Sequence, residues 1–302
     1  MSASLNNYDE LKTVRDMIRY AVSAFHQAKL YFGHGSDNAW DEAVYLTLFS
    51  LHLPLDHLEP FLDARLLQTE KQRCLDLIHQ RVEKRVPLAY LTGEAWLQGY
   101  RFMVTPDVLV PRSPISELIG EGLQPWIMDP EAPLNILDLC TGSGNLAILA
   151  ALQFPHAFVD AADISPKALE VAKQNIHLYK LQHQVHLYES DLFDHIPVKL
   201  YDVIICNPPY VNSTSMQELP DEYKNEPQLA LAGGEDGMDI IRKILYATPN
   251  YLTENGFLLL EIGHEYENFL TAFPSITPTL LETETTDESI LLLTREDLLM
   301  LD

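Results

Sequence analysis

The sequence is poor in cysteine and in basic residues, and it has no long apolar run. Its only cysteines are Cys74, Cys140 and Cys206. They lie far apart and match neither a disulfide framework nor a zinc-ligand spacing. A reducing cytoplasm is the expected setting. No stretch approaches the roughly 18 apolar residues of a membrane span, and the opening "MSASLNNYDELKTVRD" has no apolar signal core, so neither membrane insertion nor secretion is expected. His183 and His186 are spaced as H-x-x-H but have no third ligand nearby, so they read as surface residues and no metal is expected. Lys and Arg total 20 against 44 Asp and Glu, a formal net charge of −24. Stable binding to a bare phosphate backbone needs several neutralising cations, so nucleic acid is a poor fit. The same charge suits a basic protein partner, whose approach it would steer.

What is present is a foldable chain. Hydrophobic residues make up 47% of 302 residues, enough for a core and for one large or two ordinary domains. Residues 1–86 read as a helical domain. In "YDELKTVRDMIRYAVSAFHQAKL", Leu11, Val14, Ile18, Val22 and Phe25 fall on one helical face. "GHGSDN" interrupts, "AWDEAVYLTLFSLHL" restarts a helix with Asp37 or Asn38 as its cap, and "TEKQRCLDLIHQRVEKR" is a third. Residues 87–112 read as a hairpin linker turning near Gly99, with Tyr100 and Phe102 as core residues of its strand.

From 113 to 302 the pattern alternates. "PLNILDLC", "AFVDAADI", "QVHLYESD", "YDVIIC" and "GFLLLEIG" read as strands. "GNLAILAALQF", "SPKALEVAKQNIHLY" and "EDGMDIIRKILYATPNYL" read as helices, the second capped by Ser165 with Pro166 at its first position. Such alternation predicts an α/β, doubly wound and mostly parallel sheet. The last 25 or so residues carry no recognisable motif.

At the end of "YDVIIC" comes "NPPY", Asn207–Tyr210. Pro208 and Pro209 have no N–H, and each pushes the preceding residue into an extended conformation. The loop therefore offers carbonyl oxygens and few donors. Asn207 adds a side-chain acceptor and Tyr210 a flat face. A planar NH₂ group, as in adenine, cytosine or a glutamine side chain, fits such a loop. A bland strand-ending turn is the alternative until a partner motif is found.

That partner is "ILDLCTGSGNLAI". A strand ends near Asp138, a helix starts near Asn145, and Gly142 and Gly144 between them permit a tight turn and close approach of a ligand. Asp163, at the end of the next strand and about twenty residues on, is placed to accept two ribose hydroxyls. Asp191 closes the third strand, where either a contact to an adenine amino group or plain loop acidity would serve. With Asn207, these positions stand at the carboxyl ends of successive strands, where open parallel sheets bind ligands.

Asp138, Thr141, Gly142 and Gly144 resemble the first motif of S-adenosylmethionine-dependent methyltransferases. Together with NPPY they resemble amino-group methyltransferases of the class I fold, a Rossmann-like seven-stranded sheet. "PLAYLTGEAWLQGYRFMVTPDVLVPR" (Pro87–Arg112) and "EPQLALAGGEDGMD" (Glu226–Asp239) resemble the HemK/PrmB family of protein-glutamine N(5)-methyltransferases. "PRSPISE" and "GHGSDNAWDEAVYL" are similar to its branch acting on the third large-subunit ribosomal protein. The resemblance implies S-adenosylmethionine as cofactor, that basic ribosomal protein as partner, and a substrate-recognition role for residues 1–86. It implies cofactor contacts from Asp138, Thr141, Gly142, Gly144, Asp163, Asp191 and Asn207, and an acceptor site of Asn207, Pro208, Pro209 and Tyr210, with Asn207, Pro208 and Tyr210 at the reacting amide. The release-factor branch and, further off, N(6)-adenine methyltransferases are the alternatives. Arg112 stays open between a cofactor carboxylate and a structural salt bridge, and His34 between a substrate-facing loop and a plain turn.

Overall fold

The computed structural model describes residues 8–286 and 289–301. The chain forms two units: Met1–Gly93 with Pro220–Asn225, and Glu94–Leu219 with Glu226–Asp302.

The first unit is helical: α1 (Val14–Gln27), α2 (Ala39–Ser50), α3 (Gln68–Lys84) and α4 (Leu88–Thr92). Helix α1 begins three residues after Leu11, the first residue of the apolar spacing. A reciprocal cap sets the start, with the Asp16 amide donating to Thr13 Oγ1 at 3.1 Å and the Thr13 amide donating to Asp16 Oδ2 at 3.0 Å. Of the two candidate caps for α2, Asn38 is the one used, its Oδ1 accepting from the Asp41 amide at 2.9 Å. Met17, Ile18, Phe25, Leu46 and Ile78 form the centre of the core.

Pro220–Asn225, which follows the NPPY loop in sequence, completes this unit. Glu222 is buried and accepts from Arg81 at 3.3 Å, from Arg85 at 3.3 Å and from the Tyr31 amide at 3.0 Å. Arg81 is 1% exposed and also pairs with Glu42. Tyr223 packs against His34 at 4.5 Å, ring centre to ring centre, with the ring planes tilted by 56°. The His34 ring is thus buried inside the first unit.

The second unit opens with a hairpin, β1 (Glu94–Leu97) and β2 (Tyr100–Met103), closed by Gln98 and Gly99, both at positive φ as two-residue hairpin turns require. Phe102 is fully buried, but Tyr100 is 39% exposed. Tyr100 flanks the turn and meets Tyr179 edge-on at 5.9 Å, with part of its ring in solvent, so the core assignment holds for Phe102 and fails for Tyr100. Then follow α5 (Ile115–Gly120), β3 (Asn135–Leu139), α6 (Asn145–Gln153), β4 (Phe158–Asp163), α7 (Pro166–Leu178), β5 (Val185–Glu189), β6 (Tyr201–Cys206), α8 (Ser213–Glu218), α9 (Asp239–Ala247), β7 (Leu252–Glu261), α10 (Tyr266–Ala272), β8 (Thr279–Leu281), β9 (Ile290–Thr294) and α11 (Arg295–Leu298).

The sheet order is β5-β4-β3-β6-β7-β9-β8, with the first five strands parallel and β9 antiparallel to both neighbours. Successive residues of the central strands enter different cores: Ile136, Val203 and Leu259 pack on one face, Leu137, Ile204 and Leu258 on the other. Burial on both faces is why these strands read as continuous apolar runs. The winding reverses between β3 and β6, which places a crevice at the carboxyl ends of those two strands.

Candidate active site

A cavity of about 480 Å³ opens at that reversal. Asp138, Thr141, Gly142, Asp163, Asp191, Asn207 and Pro209 all line it. Its size falls in the range of small-molecule sites, roughly 300–1,000 Å³.

The floor is the glycine turn between β3 and α6. Gly142 and Gly144 have φ of 55° and 78°, which a side chain would strain. Gly144 is constrained further, since a methyl group there would lie 3.1 Å from Cβ of Ala172 on α7. It lets helix α7 back the turn and does not itself line the cavity. Asn175 of α7, fully buried, fixes the turn from behind: its Nδ2 donates to the carbonyls of Ser143 at 2.9 Å and Met103 at 3.0 Å, and its Oδ1 accepts from the Met103 amide at 2.7 Å.

Asp138 is 1% exposed, and its Oδ2 accepts from Thr141 Oγ1 at 2.5 Å and from the Ala147 amide at 3.1 Å. Burial pushes its carboxyl up to about 7, against the pull of those two bonds. Asp138 and Thr141 therefore hold each other and the first turn of α6. Asp163 accepts from the amides of Gly142 and Ser165, both at 2.8 Å. Burial raises its pKa and the backbone bonds oppose that. A carboxylate has about four lone-pair sites, more than these two backbone bonds fill, which leaves capacity for a ligand. Asp191 is exposed at the rim.

The residues fit a nucleoside-bearing cofactor. Beside the glycine turn, Asn145 lines the cavity, and its Oδ1 is buried with no hydrogen-bond partner among the described residues. Asp163 supplies acceptors for hydroxyls, and apolar Leu109, Ile164 and Leu192 complete the wall.

The NPPY loop leaves the sheet at the end of β6. Asn207 and Pro209 face the cavity, Pro208 is buried, and Tyr210 is half-buried and outside the cavity lining. The stretch Glu226–Asp239 braces this loop. Val211 donates to the Leu231 carbonyl at 2.8 Å, and Gly233 donates back to Val211 at 2.9 Å. A methyl group on Gly233 would come within 2.7 Å of Cα of Tyr210. Gly233 and Gly237 of "AGGEDG" are there because backbone meets the backbone of Tyr210, whereas Gly234 lies against the Asp239 carboxylate.

Arg112 resolves to a salt bridge. Its two terminal nitrogens reach the two oxygens of buried Glu226 at 2.7 Å each, and Glu226 also accepts from the Val110 amide at 3.0 Å. Sequence reasoning missed Glu226, Asn175, Ser113 and Glu261. Only Glu261 left a signal: a carboxylate closing the apolar run "FLLLEIG". His183 and His186 are exposed, and no group of metal-ligating residues occurs among the described residues.

A mostly parallel seven-stranded sheet of this order, with its cavity over the glycine turn at the winding reversal, is the class I methyltransferase architecture. A family model described as the methyltransferase small domain matches residues 126–220. The chain is 60% identical over 293 residues to the ribosomal protein uL3 glutamine methyltransferase of Bordetella pertussis, covering 97% of this chain and 98% of that one. It is 54% identical to the protein of the same description from Burkholderia pseudomallei, over 95% and 96% of the two chains, and 50% to that of Neisseria gonorrhoeae, over 96% and 97%. The chain belongs to the family of ribosomal protein uL3 glutamine methyltransferases.

Proposed function

We propose that this protein transfers a methyl group from S-adenosylmethionine to the side-chain amide nitrogen of a glutamine in ribosomal protein uL3. The observation that carries this reading is identity of half or more, over nearly the whole chain, to relatives of that description.

The bound cofactor supplies a methyl group on a sulfonium, already activated for transfer. The difficulty lies with the acceptor. The lone pair of an amide nitrogen is delocalised into its carbonyl, the same resonance that gives peptide bonds a rotation barrier of about 18–20 kcal/mol. Asn207 Oδ1 and the Pro208 carbonyl accept the two N–H bonds of the glutamine amide and turn its nitrogen toward the cavity. Tyr210 packs on the amide plane. Acceptors aimed at a nitrogen that gains positive charge stabilise the transition state more than the ground state. No general base is required, because the proton can leave after transfer. The prolines keep competing donors out of a loop whose work is accepting. On the cofactor side, Gly142, Asp163, Asp191 and Asn207 contact the cofactor, while Asp138, Thr141 and Gly144 shape the turn that receives it.

The first unit recognises the protein substrate. Its "GHGSDN" loop and the Pro220–Asn225 segment belong to one packed core, which ties that unit covalently to the stretch after NPPY. The acidic excess is concentrated in the second unit and suits a basic ribosomal protein. No helix among the described residues is long and apolar enough to cross a membrane. Action in the cytoplasm, where ribosomal proteins are made, follows from this reading.

Incubation with methyl-labelled cofactor and unmodified uL3 or release factors, followed by mass spectrometry, tests it. Label on a uL3 glutamine is expected. Label on a release-factor glutamine instead would replace the substrate, and label on adenine would overturn the reaction class.

A further inference from the structure

Glu261 ends β7 one residue beyond Leu260, which pairs with Cys206 of β6, so it stands level with Asn207 at the adjoining strand end. It is 5% exposed and makes no ion pair among the described residues. Both of its oxygens accept from hydroxyl groups. Oε1 takes the Tyr210 hydroxyl at 3.1 Å, and Oε2 takes Ser113 Oγ at 2.5 Å. Tyr210 belongs to the acceptor loop, and Ser113 lines the cofactor cavity. One buried carboxylate therefore bridges the two halves of the site.

We infer that Glu261 is a positioning residue for methyl transfer, its carboxylate clamping Tyr210 of the acceptor loop to the Ser113 wall of the cofactor cavity. The inference rests on the methyl-transfer reading above and deepens it. The second ring torsion of tyrosine is broad and weakly set by local sterics. Two contacts define it here. The hydroxyl is held by Glu261, and the ring edge lies so close to Gly263 that a methyl group there would fall 2.4 Å from Cε2 of Tyr210. The plane against which a substrate amide packs is thereby fixed from its far end.

The clamp is built for the anion. A carboxylate accepts both hydroxyl protons at once, whereas the neutral acid must donate from one oxygen, so one hydroxyl has to turn round. The nearby charged and titratable groups are few. The Arg112 guanidinium is taken by Glu226, the Tyr210 phenol already donates to Glu261, and the buried Cys206 thiol lies in the field of Cys140, Asp138 and Glu261. Burial accordingly pushes the Glu261 carboxyl up to about 7, against the pull of Ser113, Tyr210 and Arg112. At saturating cofactor, the rate of transfer should fall as the pH drops through that value.

Glu261→Gln separates geometry from charge. The amide can accept from Tyr210 and donate to Ser113, but it does not titrate. Single-turnover rates on unmodified uL3 are measured against pH, with cofactor affinity by calorimetry. The expected result is a rate limb near neutrality in the natural protein that disappears in Glu261→Gln, with cofactor affinity unchanged. Glu261→Ala should lower the rate by about 10–100-fold at high pH, as misplacement at a reacting centre does. A Glu261→Gln protein that keeps the natural limb overturns the inference, and so does loss of cofactor affinity in step with rate. Should both variants fail to fold, Tyr210→Phe and Ser113→Ala each remove one arm of the clamp. Each is expected to shift the limb, and an unmoved limb in both refutes the clamp. A natural protein that methylates glutamine without any limb defeats this inference alone. A natural protein that methylates no glutamine defeats the functional reading and the inference with it.

Discussion

Gly237 lies against the carbonyl of Tyr210, so close that a methyl group on its Cα would sit 2.3 Å from that oxygen. Its φ of 80° adds a second obstacle to any side chain. Gly237→Ala must therefore displace the acceptor loop while leaving the glycine turn between β3 and α6 untouched. The expected outcome is a rate loss of about 10²-fold with cofactor affinity retained. Calorimetry and single-turnover kinetics on the same preparation check it. Equal losses in both would mean that the brace supports the whole cavity.

Asn207→Ala should abolish transfer with the fold and most cofactor affinity intact. Without Oδ1, one N–H of the acceptor amide has no partner, and the nitrogen can swing out of line. Loss of one preorganised hydrogen bond at a reacting centre is typically worth ~10²–10³ in rate. Asn207→Asp keeps an acceptor and should retain partial activity. Near-natural turnover in Asn207→Ala would move the acceptor site elsewhere.

Asp163→Ala should weaken cofactor binding by more than a ribose contact alone. The carboxylate also receives the Gly142 amide, so its removal loosens the turn as well. Charged hydrogen bonds contribute roughly 1.5–3 kcal/mol each, which puts the affinity loss at 10²-fold or more. Asp163→Asn keeps one acceptor oxygen and should fall between. Isothermal titration of the three proteins gives the order directly.

Asp138 should make the second unit less stable as pH rises. Its folded carboxyl lies at about 7 against an ordinary 3.8, so the folded state binds this proton more tightly than the unfolded chain. That contribution is complete below the ordinary value and is lost as pH climbs through about 7. A difference of this size corresponds to at most about 4 kcal/mol. In Asp138→Asn the pH dependence from this group disappears. Urea melts of both proteins at about pH 5 and about pH 8 should show the variant gaining on the natural protein at the higher pH. A constant difference would refute the assignment.

Glu222→Ala should destabilise the first unit. It removes one of two carboxylates paired with the buried Arg81 guanidinium and also an acceptor for the Tyr31 amide. Breaking such a buried pair costs about 3–5 kcal/mol. Hydrogen exchange should show lost protection in α3 with the β3–β6 core unchanged. Methylation of intact uL3 should fall further than methylation of a short glutamine peptide. Equal effects on both substrates would remove the first unit from recognition.

Much of the architecture was legible because it rests on local rules. Glycines at a strand-to-helix turn, Ser165 before Pro166, and apolar runs broken by helical spacing gave the parallel strands and the position of the cavity. The strand β9 was not legible. "ILLLT" is a bare apolar run, and nothing local says that it inserts antiparallel between β7 and β8. Arg112 was undecided for a similar reason, since Glu226, the residue that engages it, stands more than a hundred positions away in sequence. Asp138 lines the cavity, but only the fold reveals that its Oδ2 is held by Thr141 and the Ala147 amide.

The sequence by itself determined the proline-rich turn after β6, the glycine turn after β3 and the alternation of parallel strands with helices, because proline, glycine and hydrophobic period constrain the chain within a few residues of where they occur. Only the tertiary structure decided which buried polar groups meet. Glu261 finds Ser113 and Tyr210, Glu222 finds Arg81, and Asn175 finds the glycine turn and the end of β2, each across a separation that no spacing encodes. A buried donor or acceptor must be satisfied by whatever the fold brings within about 3 Å, and that partner is chosen by packing in three dimensions.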